Sequence, residues 1–160
     1  MTVAVTGHRP NKLNNEYNGG PLSDSILETM LVLIKEHGIT HGISGMAIGV
    51  DQLWAMACTE AGIPFTAAVP CKGQEKVWPV KGQQIYQTLL ARAEKVVYIS
   101  EKYSPECMQK RNVWMVDNSE AIISVWDGSS GGTKNCIRYA ESKGIRIIPI
   151  DIFSLKNGLR

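Results

Sequence analysis

The chain has 160 residues, 44% hydrophobic and 20% charged, with 17 Lys and Arg against 15 Asp and Glu for a formal charge of +2. This composition suits one globular domain, large enough to bury a core without disulfides or metals, and excludes disordered and fibrous classes. No run of cations is present to neutralise a phosphate backbone, so charge gives no reason to expect a nucleic-acid partner.

Val3 to Thr6 reads as a short apolar strand, followed by Gly7-His8-Arg9-Pro10 and a long polar loop from Asn11 to Pro21. A loop of that length is often a lid or binding loop. Ser23-Asp24-Ser25 predicts an N-cap before the helical spacing of Ile26, Leu27, Met30, Leu31, Leu33 and Ile34, with Gly38 closing the helix. His41 to Ser44 predicts a second strand, and Val50 to Ala61 a second helix stopped by Gly62. Pro64 to Val69 is a third strand, Gln83 to Ala93 a helix and Lys95 to Ser100 a fourth strand. Met108 to Asn118 is helical, Ala121 to Trp126 a fifth strand, Thr133 to Lys143 a helix stopped by Gly144, and Arg146 to Asp151 a sixth strand.

Strands apolar on both faces, separated by amphipathic helices, indicate a parallel sheet covered on both sides. The expected fold is therefore α/β: a single three-layer Rossmann-like domain over residues 1–160, with a mainly parallel sheet of about six strands. Such sheets bind ligands beyond the carboxyl ends of their strands, at the topological switch point. No apolar run approaches the ~20 residues of a membrane span, and the first residues read as a strand rather than a signal peptide. The chain is thus expected to be cytoplasmic and without a membrane partner. Cys58, Cys71, Cys107 and Cys136 are widely spaced, and the only histidines are His8, His37 and His41. Neither set has metal-ligand spacing, so no metal or other cofactor is expected.

Several rim segments could carry chemistry. Gly7 would free the backbone so that His8 and Arg9 project above the sheet, Arg being suited to bidentate phosphate or carboxylate recognition. Ser44-Gly45-Met46-Ala47-Ile48-Gly49-Val50-Asp51 forms a glycine-bracketed turn into a helix; Asp51 either complements the helix dipole or accepts hydrogen bonds from a ribose or base. Gln74 and Trp78 follow the third strand and could bond and stack on a base, while Cys71 is the one rim thiol. Arg111, near the start of its helix, could hold a phosphate or carboxylate. Asp127-Gly128-Ser129-Ser130-Gly131-Gly132-Thr133 then leads into a helix whose first N–H groups lack intrahelical partners. Free amides at the positive end of a helix dipole form an anion site, here cradled by Gly131, Gly132 and Thr133.

Taken together these residues resemble the SLOG superfamily, the Rossmann-like group joining the DNA-processing protein DprA/Smf to the LOG cytokinin-activating enzymes. Ser44 to Asp51 is similar to DprA's S-G-x-A-x-G-[IV]-D turn, and Met108-x-x-Arg111 with Gly131-Gly132-Thr133 to the LOG pattern M-x-x-R…G-G-x-G-T. Thr6 to Pro10 and Arg111-Asn112…Trp114-Met115-Val116-Asp117 most resemble the YspA/YpsA-like branch. The rim segments and the resemblance together give a candidate ligand set of Gly7, His8, Arg9, Ser44, Gly45, Met46, Gly49, Asp51, Gln74, Trp78, Arg111, Asp127, Gly131, Gly132 and Thr133. LOG enzymes hydrolyse the N-glycosidic bond of nucleoside monophosphates with that Arg and a Glu just after G-T. This chain has Lys134, Asn135 and Cys136 there, and an amide cannot act as a general acid or base. The expectation is a module that senses or sequesters a nucleotide or an ADP-ribose-like signal without LOG-type hydrolysis. The alternative is a LOG-like phosphoribohydrolase in which Asp51, Asp117 or Asp127 replaces the Glu. A homo-oligomer is left open, since Val113-Trp114-Met115-Val116 could serve as core or interface.

Overall fold

The computed structural model describes residues 1–159. Six strands form one sheet: β1 (Thr2–Gly7), β2 (His41–Ser44), β3 (Phe65–Cys71), β4 (Lys95–Ser100), β5 (Ala121–Val125) and β6 (Arg146–Ile150). All adjacent pairs run parallel, in the order β4-β3-β2-β1-β5-β6. The helices are α1 (Pro21–His37), α2 (Val50–Ala61), α3 (Val80–Arg92), α4 (Cys107–Asp117), α5 (Gly132–Ser142) and α6 (Ile152–Asn157).

Alternation along the strands divides the core. Val3, Val5, Ala67, Val69, Ile123 and Val125 point to the face covered by α1, α2, α3 and α6. Ala4, Ala68 and Ile122 point to the opposite face, against Met115 and Val116 of α4 and Cys136 and Ala140 of α5. This is why the central strands read as continuous apolar runs rather than alternating ones. From β1 to β4 the chain steps one way across the sheet, then returns to β5 beside β1. A right-handed crossover that reverses direction places its helix on the other face, and α4 and α5 do cover that face. The switch point therefore lies between the carboxyl ends of β1 and β5.

The predicted α/β fold and six strands are all present, with local differences. Helix α1 begins at Pro21, not at Ser23–Ser25, because the Glu16 carboxylate accepts the Leu22 and Ser23 N–H groups at 3.0 and 2.7 Å. Helix α3 begins at Val80 rather than Gln83, after a 3-10 turn at Gln74–Val77 that carries Trp78 beyond β3. The short α6 was not foreseen; Asp151 caps it by accepting from Phe153 and Ser154 N–H. Met115 and Val116 are core residues, with Val113 and Trp114 half-buried.

Candidate functional site

The carboxyl ends of β1 and β5 and the N-termini of α2, α4 and α5 enclose a cleft of about 450 Å³. Of the residues predicted from sequence, Gly7, His8, Arg9, Asp51, Arg111, Gly131, Gly132 and Thr133 line it. Helix α5 opens on the cleft with no side-chain cap, so its first-turn N–H groups face the space with the positive end of the helix dipole behind them. Exposed Arg9 and Lys12 line the same cleft.

Asp51 and Arg111 are both buried, with Oδ2 and Nη1 3.8 Å apart. The guanidinium donates to the Gly45 carbonyl at 2.6 Å and, through Nε, to Asn112 Oδ1 at 3.1 Å. A Cβ at Gly45 would overlap both the guanidinium and the Asp51 carboxylate, so a side chain there would break up the pair. Asp51 Oδ2 also accepts Ala47 N–H at 3.3 Å. Burial pushes the Asp51 carboxyl up, opposed mainly by Arg111. Asp51 thus binds the turn before α2 and also lines the cleft.

His8 and Asp127 join the ends of β1 and β5. The Asp127 N–H donates to His8 Nε2 at 2.9 Å, and Asp127 Oδ1 lies 3.0 Å from the same nitrogen. Burial pushes His8 down despite the neighbouring carboxylate. The Ser129 hydroxyl and N–H, then His8 and Lys12, hold Asp127 well below the usual carboxylate range. Trp126 Nε1 donates to the Ser129 carbonyl at 2.8 Å, closing the loop over this pair.

The remaining predicted residues lie outside the lining. Ser44 is buried, donating to the Asp51 carbonyl at 2.6 Å and accepting Met46 N–H at 3.1 Å. Met46 sits wholly in the core at φ +63°. Gly49, at φ +107°, lies so close to the His8 carbonyl that a Cβ would approach it to 2.5 Å. Trp78 packs edge-on to Tyr86, with centroids 5.4 Å apart, and Gln74 is buried beside this pair. Cys71 is also buried, and burial raises its thiol pKa. Asp127 supports the cleft through His8 and Ser129.

The cleft includes residues that the sequence reading did not select: Lys12, Ile48, Met108, Asn112, Ser129 and Ser130. Ser129 and Ser130 stood inside the glycine-rich motif, and their hydroxyls were the legible signal. Lys12 had none, because a 3-10 turn at Pro10–Lys12 brings it back toward Asp127, 3.5 Å away. Of the three aspartates offered as substitutes for the LOG glutamate, only Asp51 lines the cleft; Asp117 lies at the far end of α4 and accepts from the Tyr139 hydroxyl at 2.8 Å. Among the described residues, no three His, Cys, Asp or Glu side chains converge as a metal site.

A doubly wound parallel sheet with cations and an uncapped helix N-terminus at its switch point defines a Rossmann-like domain built around a rim cleft. The chain belongs to the YspA SLOG family, whose model matches residues 3–154. It is 34% identical over 137 residues to the SPbeta prophage-derived protein YoqJ of Bacillus subtilis (strain 168), covering 75% of this chain and 80% of that protein. A UPF0398 protein of Bacillus cereus is 28% identical over 154 residues, covering 89% and 83%. Among solved structures, DNA processing protein A (DprA) of Streptococcus pneumoniae superposes with TM-score 0.66 at 17% identity. That match covers 94% of this chain but only 50% of the pneumococcal one. Helicobacter pylori DNA processing protein A, described for its single-stranded DNA binding mode, gives TM-score 0.67 at 16% identity, with 94% and 65% covered. TM1055 gives 0.62 at 21% identity, with 91% and 71% covered. These structural likenesses establish the shared fold. No described helix is long and apolar enough to cross a membrane.

Proposed function

We propose that the rim cleft binds a nucleotide or nucleotide-derived small molecule, with a phosphate at the start of α5 between Arg9 and Lys12. The observation that supports this most is the uncapped Gly131-Gly132-Thr133 terminus opening into a cleft flanked by two exposed cations. Backbone amides at a helix N-terminus suit a phosphate without further specialisation. With Lys134, Asn135 and Cys136 after Thr133, the reading is sensing or sequestration rather than LOG-type hydrolysis.

Calorimetry against ADP-ribose, NAD and nucleoside monophosphates is the test. Binding is expected with at least one, and Lys12→Ala should weaken it by about 1 kcal/mol, the upper end for a solvent-exposed ion pair. No heat from any of these ligands, with folded protein, would overturn the proposal.

Asp51 favours one second reading, hydrolysis of an N-glycosidic bond, because it alone of the substitute carboxylates lines the cleft. That reading requires release of free base from a nucleotide and its loss in Asp51→Asn. The small net charge had argued against nucleic acid, but the H. pylori neighbour's single-stranded DNA binding removes most of that argument's force. A gel shift with single-stranded DNA that weakens as salt rises would assign the cleft, or the rim around it, to a nucleic-acid backbone instead.

A further inference from the structure

The two edges of the sheet are built differently. Edge strand β6 carries Pro149, which has no N–H to offer a further strand, and runs straight into α6. Edge strand β4, Lys95-Val96-Val97-Tyr98-Ile99-Ser100, contains no proline or glycine and pairs only with β3. An apolar edge of this kind is a template for another strand unless something guards it. Its centre is apolar and partly open: Val96, Val97 and Ile99 are half-buried and Tyr98 is 41% exposed. Its own charges sit at its two ends, Glu94-Lys95 before and Glu101-Lys102 after, and Lys72 at the end of β3 lies 3.2 Å from Glu101 and 5.4 Å from the centre of the Tyr98 ring.

These charges are self-complementary. When β4 is laid antiparallel on a second β4 with Tyr98 opposite Tyr98, Lys95 faces Glu101 of the second copy and Glu94 faces Lys102. The twofold axis repeats both pairs. A slip of one residue either way sets Glu94 against Glu101 or Lys95 against Lys102. Like charges directly opposite destabilise a ladder, while opposite charges and aromatic pairs support it, so the pattern selects one register. The face assignments agree, since Tyr98 lies beside Val69 on the α3 side of the sheet and Val97 beside Ala68 on the α4 side. We propose that two copies of this chain pair through β4, antiparallel and centred on Tyr98, so that one sheet runs through both. The interface is isologous, as a twofold dimer requires. Antiparallel pairing points the two carboxyl rims in opposite directions, which leaves each cleft open and formed by one chain alone.

Sedimentation equilibrium of the full chain, from low micromolar to submillimolar concentration, tests this. The expected result is a mass approaching twice that of the chain. Lys95→Glu, an exposed change that opposes Glu101 twice in each dimer, should weaken association roughly tenfold. The double change Lys95→Glu with Glu101→Lys, which also gives up the exposed Lys72–Glu101 pair, should recover most of it, and far-UV circular dichroism should show all three proteins equally folded. A monomer throughout the range, or a dimer indifferent to Lys95→Glu, overturns the proposal. So does failure of the double change to recover association.

Discussion

At the scale of single residues, the Asp51–Arg111 pair sets the terms on which the cleft can be altered. Arg111 looks like a ligand residue from sequence, yet its guanidinium already serves Gly45, Asn112 and Asp51. Removing it strands a buried carboxylate, and breaking a buried pair costs about 3–5 kcal/mol. Arg111→Ala should therefore lower stability by about that much in urea titration, with Asp51→Asn in the same chain recovering a substantial part. His8 supports a second prediction. Its ring sits against Asp127, and burial, aided by the charges of Lys12 and Lys156, holds its pKa below the ordinary 6.5. The folded state thus binds this proton less readily than the unfolded chain does. Its contribution is complete above pH 6.5 and falls as acid protonates the ring. Asp127, with a lowered pKa, loses stability in the same direction, but only below its ordinary value of 3.8. Asp51, with a raised pKa, works in the opposite direction. Between pH 7.5 and 5 the urea midpoint of the wild type should therefore drop relative to that of His8→Gln measured at the same pH.

At the scale of elements, helix ends are set by groups distant in sequence. Glu16 caps α1 from the loop before it, so Glu16→Ala should cost about 1–2 kcal/mol by loss of a cap, measured by thermal or urea unfolding. The serine cluster at Ser23–Ser25 could not reveal this, because a cap is defined by where a side chain arrives and not by its type alone. Helix α2 shows the same dependence. Asn18 Oδ1 accepts Gly49 N–H at 3.1 Å, its amide donates to Gln52, and the His8 carbonyl accepts Val50 N–H at 3.1 Å. The long loop after β1 is thereby tied to the turn that opens α2. Gly49→Ala combines φ +107° with a clash against the His8 carbonyl. It should destabilise by about 2–3 kcal/mol through strain alone, and should lower ligand affinity as well by shifting His8.

At the scale of the whole molecule, a ligand that binds only the folded chain must stabilise it by mass action. A nucleotide at a hundred times its dissociation constant should add about 2.7 kcal/mol, or roughly 5–10 °C in midpoint for a chain of this length. An equal shift from inorganic phosphate at the same free concentration would assign the affinity to the phosphate alone; a larger shift with the complete nucleotide would extend the recognition site across the cleft toward Ile48 and Met108.

The order of strands and helices was legible in the sequence because it depends on local periodicity and on glycine and proline punctuation, which each segment carries within itself. The glycine-rich start of α5 was legible for the same reason. The tertiary structure alone decided which residues share the cleft. Only the return of the chain from β4 to β5 brings Arg111 onto Gly45 and Asp51, and His8 onto Asp127. Gln74 and Trp78 were placed in the site by their nearness to a strand end, and it was packing against Tyr86 that drew them into the interior. Periodicity states which face of an element is apolar, but not which distant polar group will meet it, since that contact depends on the path of the chain between them.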